Sequence, residues 1–191
     1  MKKLVILIFL LGFGNVQAQN FDTRILQSIN SQDTKYDKIW LGVTNSATPI
    51  SIVSPLSLYA MGYFHYLPKG KENAYATAGS LAINSILTFG LKWSIQRERP
   101  FANNPNIYKK TQAGSYSFPS GHTSTAFATA TSLTLAYPKW YVAVPAYAWA
   151  SAVGYSRMHL GVHYPSDVLA GAIIGTLSSF VAFKLNQKLA K

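Results

Sequence analysis

Charged residues along this chain fall in clusters, and the long stretches between the clusters carry none. Trp40 to Pro68, Asn73 to Leu91, Thr111 to Pro138, Trp140 to Ser156 and Val168 to Phe183 contain no Asp, Glu, Lys or Arg. Segments of this length suit helices that cross a bilayer. The pattern predicts an all-α chain, a polytopic helical membrane bundle of five to six helices. Lys69-Gly70-Lys71-Glu72 and the dense group Lys92 to Arg99 punctuate the apolar segments. Residues 100–118, with Pro100, Asn103-Asn104-Pro105 and Gly114, read as a loop. The spacing of Phe21, Ile25, Leu26 and Ile29 predicts a short amphipathic helix on a membrane surface. Ahead of it, Met1-Lys2-Lys3, the apolar run Leu4 to Phe13 and Val16-Gln17-Ala18 have the layout of a signal peptide cleaved after Ala18. An uncleaved first transmembrane helix is the other reading of residues 1–18, and both place residue 20 outside the inner membrane. Residues 19–191 then form one domain.

Uncharged helices also occur in the cores of soluble bundles, so the basic residues have to decide. With the N-terminus inside, the connections alternate in side. Lys2, Lys3, Lys69, Lys71, Lys139, Lys184, Lys188 and Lys191 then fall in the cytoplasm with Glu72 as their only acid, and Asp22, Asp33, Asp37, Glu98 and Asp167 fall outside. That bias favours spanning helices in a bacterial inner membrane. Composition agrees: 12% of the 191 residues are charged and 49% hydrophobic, against about 25% charged in soluble domains. Abundant Ala, Gly, Ser and Thr suit close helix packing in lipid. The net charge of +11 calls for an anionic partner. The basic residues are split between two membrane faces, which disfavours nucleic acid. The absence of cysteine excludes zinc fingers, thiol catalysis and disulfides.

Three clusters carry chemistry, and the same threading puts all of them on one membrane face. In Lys92-Trp-Ser-Ile-Gln-Arg-Glu-Arg99-Pro100, a helix continued to Pro100 sets Lys92 and Arg99 about two turns apart on one face. An ammonium and a guanidinium there suit a tetrahedral dianion. In Ser117-Phe-Pro-Ser120-Gly121-His122, Ser120 to His122 open an Ala/Thr-rich helix, where free N–H groups favour an anion. The Gly121 backbone admits a phosphate oxygen, Ser120 can donate its hydroxyl, and His122 can protonate a leaving oxygen. In Ser156-Arg157 through His163 to Asp167, a carboxylate four residues after an imidazole can fix its tautomer and leave the other nitrogen as nucleophile or base. Arg157 adds a second guanidinium. His159 and His163 at i and i+4 could also pair on a metal, but only Asp167 is near as a third ligand and no Cys exists, so no metal is expected. Together the clusters hold the inventory of metal-free phosphoryl transfer through a histidine.

Lys92-x6-Arg99-Pro100, Pro119-Ser120-Gly121-His122 and Ser156-Arg157-x5-His163-x3-Asp167 resemble the three-part signature of the type 2 phosphatidic acid phosphatases. The resemblance covers residues 92–167 with every motif position intact. It implies an all-helical core and a catalytic set of His163 as nucleophile, Asp167 as its orienting carboxylate and His122 as acid and then base. It also implies phosphate binding by Lys92, Arg99, Ser120, Gly121 and Arg157, without cofactor or metal. His159, Arg97 and Ser124 lie outside the signature. The expected partners are a phosphorylated lipid and the membrane, with no nucleic acid and no obligate protein partner. The expected activity is hydrolysis of a lipid phosphomonoester or pyrophosphate through a phosphohistidine, in a site facing the periplasm. Candidate substrates are undecaprenyl pyrophosphate, phosphatidylglycerol phosphate, phosphatidic acid and the phosphates of lipid A. Three other readings stand beside this one. They are a soluble periplasmic nonspecific acid phosphatase, a vanadium-dependent haloperoxidase, whose chains are much larger, and a non-catalytic membrane protein that binds or transports lipid.

Overall fold

A computed structural model of the chain describes residues 21–189. The segment read as signal peptide or first helix lies outside the described residues. A helical stretch over residues 21–29, here α1, precedes α2 (Asp37–Asn45), α3 (Ala47–Tyr63), α4 (Gly70–Ile95), α5 (Pro100–Asn103), α6 (Gly121–Ala136), α7 (Trp140–His159) and α8 (Pro165–Leu189). No strand occurs among the described residues. Helices α3, α4, α6, α7 and α8 fall within or over the five uncharged segments, and the protein is an all-α, polytopic membrane bundle. The first segment also holds most of α2. Ser46 joins α2 to α3, donating its hydroxyl to the Val43 carbonyl and accepting from Trp149 Nε1 of α7.

α4 and α8 are long and apolar enough to cross a membrane on length and composition alone. α3 (17 residues) and α6 (16 residues) are shorter, and small hydroxyl residues of the bundle face neighbouring helices. Ser80 of α4 bonds Ser179 of α8, Thr129 of α6 donates to Ser51 of α3, and Thr88 of α4 bonds Ser124 of α6. The large apolar side chains point the other way: Ile52, Leu56, Ile86, Phe89, Leu169, Ile173 and Leu177 are all exposed. A polar, close-packed interior inside an apolar jacket is the arrangement that lipid favours, because hydrocarbon offers exposed methyls no penalty and bare hydroxyls no partner. On α4, exposed Tyr75 and Trp93 mark two aromatic levels about 27 Å apart at about 1.5 Å rise per residue. That separation is close to the hydrocarbon thickness of about 30 Å.

α6 sits at the centre, packed on α3, α4, α7 and α8. Its closest approach is to α8, where a Cβ at Gly175 would lie 2.1 Å from the Ser124 carbonyl oxygen and one at Gly171 would lie 2.7 Å from that of Ser120. The two glycines, one turn apart, set the spacing between the helix that carries His122 in its first turn and the helix that carries Asp167. Gly175→Ala is therefore expected to cost about 1–3 kcal/mol through overpacking. It should lower the thermal midpoint in detergent, whereas Gly90→Ala, where a methyl meets open space, should not.

α1 forms where predicted but does not simply lie on a surface. Leu26 is fully buried against Ile107 and Tyr164. Beyond the helix end, the Asn30 amide donates to the Tyr108 and His159 carbonyls and accepts from the Tyr108 N–H. The segment from α1 to Asn30 thus clasps the loops at the end of the bundle that holds all three clusters.

Candidate active site

Four helix ends and the loops beside them meet at that end of the bundle. Lys92 comes from the last turn of α4, Gly121 and His122 from the first turn of α6, and Arg157 from the last turn of α7. His163 lies in the turn between α7 and α8, and Pro165 opens α8 with Asp167 in its first turn. Gly161 makes that turn possible. Its φ is +71°, and a Cβ there would meet the Tyr108 carbonyl oxygen at 2.3 Å, so only glycine allows the chain to reverse and present His163.

Arg99 reaches the site by a different route from the one predicted. α4 ends at Ile95, Gln96 adopts a left-handed conformation (φ 50°), and Arg97 to Arg99 leave the helix. Pro100 begins α5 rather than ending α4. Arg99 therefore shares no helix face with Lys92; the two converge from helix and loop. Lys92 Nζ donates to the Tyr116 carbonyl at 2.6 Å, and Arg99 Nε donates to that of Ser115 at 2.7 Å. Both cations thereby also hold the 112–117 loop over the site.

Lys92, Arg99, Gly121, His122, Arg157 and His163 line one cavity of about 340 Å³. Among the described residues none of Lys92, Arg99 or Arg157 lies within ion-pairing distance of a carboxylate. Arg157 is 3% exposed; it donates through one terminal nitrogen to Thr44 Oγ1, while its buried Nε has no partner. Three uncompensated cations beside the N–H groups of a helix start form a site for a multiply charged anion. Ser120 and Asp167 do not line the cavity. Ser120 is fully buried, with its hydroxyl on Thr123 Oγ1 at 2.8 Å.

The neighbours of His163 settle its tautomer. Its Nε2 lies 3.3 Å from an Arg99 terminal nitrogen, which can only donate. Nε2 therefore offers a lone pair into the cavity, and the ring proton sits on Nδ1. That proton faces Asp167 Oδ2 at 3.5 Å, longer than a hydrogen bond. Burial, the largest influence, pushes the pKa of His163 down to about 3, against the pull of Asp167. The ring is neutral at physiological pH.

Asp167 is fully buried and held on both oxygens. Oδ1 accepts from Arg97 at 2.6 Å; Oδ2 accepts from the Ser117 hydroxyl at 2.5 Å and the Tyr164 N–H at 3.0 Å. Arg97 also donates to Asp22 Oδ2 at 2.9 Å and to the Ser166 hydroxyl, and its guanidinium lies 3.9 Å from the Tyr164 ring centroid. Asp22 in turn accepts from the Ser166 N–H and hydroxyl. Sequence reasoning missed Arg97, Asp22 and Ser117. Arg97 was visible only as an extra cation between two motif positions, and no spacing rule tied Asp22 to a site many residues away.

His159 stands apart from the cavity. Its Nε2 pairs with Asp37 Oδ1 at 2.8 Å, which Lys110 also contacts at 2.9 Å, and its ring stacks on Tyr155. It does not pair with His163 on a metal. Among the described residues no group of three His, Asp or Glu side chains is arranged to hold one.

The profile of the PAP2 superfamily matches residues 73–191. The chain belongs to the PAP2 superfamily. Lipid A 4'-phosphatase of Bacteroides thetaiotaomicron is 35% identical over 48% of this chain, an alignment that spans 43% of that relative's length. Undecaprenyl-diphosphatase of Sulfolobus acidocaldarius is 27% identical over 96% of this chain and 87% of its own. The crystal structure of Aquifex aeolicus LpxE matches with a TM-score of 0.73 at 25% identity, over 84% of this chain and 93% of that one. A transmembrane PAP2-type phosphatidylglycerolphosphate phosphatase of Bacillus subtilis matches the fold with a TM-score of 0.74 over 97% of this chain and 94% of its own. The PAP2 fold accounts for the three motifs meeting at one end of the bundle; the relatives that the chain resembles include lipid A phosphatases, undecaprenyl-diphosphatases and a protein of Bacillus licheniformis named as a bacitracin transport permease.

Proposed function

We propose that this PAP2 protein hydrolyses the phosphomonoester or pyrophosphate of a membrane lipid through a phosphohistidine on His163, without a metal, in a site that faces the periplasm. The observation that carries this reading is the set of three carboxylate-free cations surrounding a buried neutral imidazole whose lone pair enters the same cavity. Lys92, Arg99, Arg157 and the Gly121 N–H bind the phosphoryl oxygens and stabilise their charge through the transition state. His163 Nε2 attacks phosphorus as the bond to the leaving oxygen breaks, and His122, which carries a proton once the negative charge of the bound phosphoryl group offsets the cations around it, gives that oxygen its proton. Neutral His122 then takes a proton from water as the water oxygen attacks phosphorus and the phosphorus–nitrogen bond breaks. Inorganic phosphate leaves. Asp167 faces the Nδ1 proton throughout and steadies the positive charge that His163 gains. Ser120 shapes the start of α6 through its pairing with Thr123, in which either hydroxyl can donate; with Thr123 as donor, the Ser120 proton is free for a phosphate oxygen.

Lipid access is supported by the cavity wall. Thr48 of α3 and Ser85 and Phe89 of α4 line the cavity and are exposed on the flank of the bundle. α3 and α4 are pinned together at their other ends, where Gly62 and Gly70 meet backbone to backbone. Near the site, the cavity wall formed by α3 and α4 thus reaches the exposed flank of the bundle. The orientation rests on Lys69, Lys71, Lys139, Lys184 and Lys188 at the opposite end, where positive charge marks the cytoplasmic side.

The decisive assay is phosphate release by the purified full chain in detergent, with lipid A, undecaprenyl pyrophosphate, phosphatidylglycerol phosphate and phosphatidic acid as substrates. Turnover of at least one, unaffected by chelators, is expected. Silence across the panel would favour a lipid-binding or transport role. Because the chain has no cysteine, Ser115→Cys supplies a unique thiol beside the site. Labelling by a membrane-impermeant reagent in intact spheroplasts is expected, and protection there would reverse the orientation.

The pH behaviour of His163 follows from its burial. Desolvation penalises the imidazolium, so the neutral form persists far below the ordinary value of 6.5. An imidazole nitrogen NMR titration of the phosphate-free protein should show His163 as the Nδ1–H tautomer, unchanged from about pH 8 to about pH 5. A midpoint near the ordinary value would mean that the ring is solvated and not buried.

A further inference from the structure

Lys92 and Arg99 are seated by backbone carbonyls of the loops around the site. Arg157 is seated differently, by a side chain from α2, a helix that carries none of the three clusters. α2 packs on α7 and is secured to it along its length. At its start, Asp37 Oδ1 lies 2.8 Å from His159 Nε2; one turn on, the rings of Trp40 and Tyr155 have centroids 4.6 Å apart. Just past its end, Ser46 Oγ accepts from Trp149 Nε1 at 2.9 Å. Between Trp40 and Ser46, the buried Thr44 holds its Oγ1 2.7 Å from a terminal nitrogen of Arg157. A guanidinium can only donate, so the Thr44 oxygen accepts. Arg157 Nε is buried without a partner. Among the described residues, Thr44 is thus the side chain that fixes which way the planar fork faces, and the other N–H groups are left for the cavity that Arg157 lines.

We infer that Thr44 is a positioning residue for phosphoryl recognition, acting through Arg157, and that the attachment of α2 to α7 sets where that guanidinium stands. The inference rests on the lipid phosphatase reading above and deepens it. A hydroxyl suits the position on electrostatic grounds. A carboxylate would grip the guanidinium more tightly, but it would cancel the charge that a phosphoryl dianion must meet. A methyl group would leave a buried charged donor without a partner, and the fork would turn to find one. A neutral acceptor orients the cation and leaves its charge whole. Rotation of the fork matters because the clamp stabilises a transition state only when its donors already point at the phosphoryl oxygens.

The test uses the full chain in detergent and two readouts: phosphate release from the lipid panel, and calorimetric binding of inorganic phosphate. Thr44→Val keeps the shape and removes the hydroxyl. It is expected to lower kcat/KM by about tenfold to a hundredfold and to weaken phosphate binding by about tenfold, the scale of one charge-assisted hydrogen bond. Thr44→Ser restores the acceptor and should recover most of both. In an Arg157→Ala background, adding Thr44→Val should change phosphate binding by less than about twofold, because its effect passes through the missing guanidinium. Should Thr44→Val fail to accumulate, Thr44→Ala takes its place in the same cycle. If Thr44 merely packed α2 on α7, its loss would be the same with or without Arg157, and that result overturns the inference. So does unchanged phosphate binding in Thr44→Val. If wild type binds phosphate but turns over no lipid, the phosphatase reading falls while the binding cycle still decides the role of Thr44. Neither turnover nor phosphate binding by wild type overturns both.

Discussion

His163→Ala is expected to cut turnover by about 10⁴-fold or more while the protein still accumulates and unfolds cooperatively in detergent. The size follows from what is lost. Among the described residues, no other unprotonated nitrogen is presented to the phosphate position with its tautomer fixed by an arginine on one side and a carboxylate on the other. The loss should fall on kcat, because the clamp of Lys92, Arg99 and Arg157 is intact and substrate still binds. His122→Ala should behave differently. Its loss is about 10²–10⁴-fold on an alkyl leaving group and smaller on a nitrophenyl phosphate, whose leaving oxygen needs no proton. With that activated substrate the phosphohistidine should accumulate in His122→Ala, since the base for the second step is missing, and it should be absent in His163→Ala. Near-normal turnover by purified His163→Ala would end the nucleophile assignment, and an equal loss on both leaving groups in His122→Ala would end its role as acid.

Much of this site was legible because membrane helices and phosphate chemistry both leave signals that are local in sequence. The charge gaps located α3, α4, α6, α7 and α8. The Pro119-Ser120-Gly121 and Pro165 signals marked the starts of α6 and α8, and the lysine bias grouped the helix ends correctly. The unread parts are those decided by tertiary contacts. Nothing in Trp40 to Pro68 marks the junction at Ser46, because the bond that secures it comes from Trp149 on another helix. The helix proposed from Lys92 to Arg99 stops early, since the left-handed turn at Gln96 is needed to bring Arg99 down beside His163. Ser120 stands at the helix start as its position suggests, but its pairing with Thr123 in the same turn and its place outside the cavity lining are tertiary details that no motif shows. The surface helix at Phe21 to Ile29 had the right periodicity, but Leu26 and Asp22 show that it docks on the loops around the site.

Arg97→Gln is expected to lower kcat by about 10²-fold, the scale of a misplacement near 1 Å in a catalytic group, with a much smaller change in KM. Arg97 does not line the active-site cavity. It acts through Asp167, whose Oδ1 it holds at 2.6 Å, and it is itself fixed by Asp22 and the Tyr164 ring. Two consequences follow from that placement. First, the charge of Asp167 is balanced outside the cavity, so it does not neutralise the clamp that must bind a dianion. Second, the carboxylate is held where it meets the Nδ1 proton of His163 as positive charge develops there. Glutamine leaves two buried carboxylates without their shared cation, which should also cost about 3 kcal/mol of stability. Arg97→Lys keeps the charge but cannot grip two carboxylates with one planar fork, so it should recover part of the lost kcat and less of the stability. Asp22→Asn should fall in the same direction, and combining it with Arg97→Gln should cost far less than the two single losses added, because both act on one network. A purely structural arginine would lower the amount of active enzyme while leaving kcat per folded molecule within about twofold of wild type. Active-site titration by phosphoenzyme trapping separates the two cases.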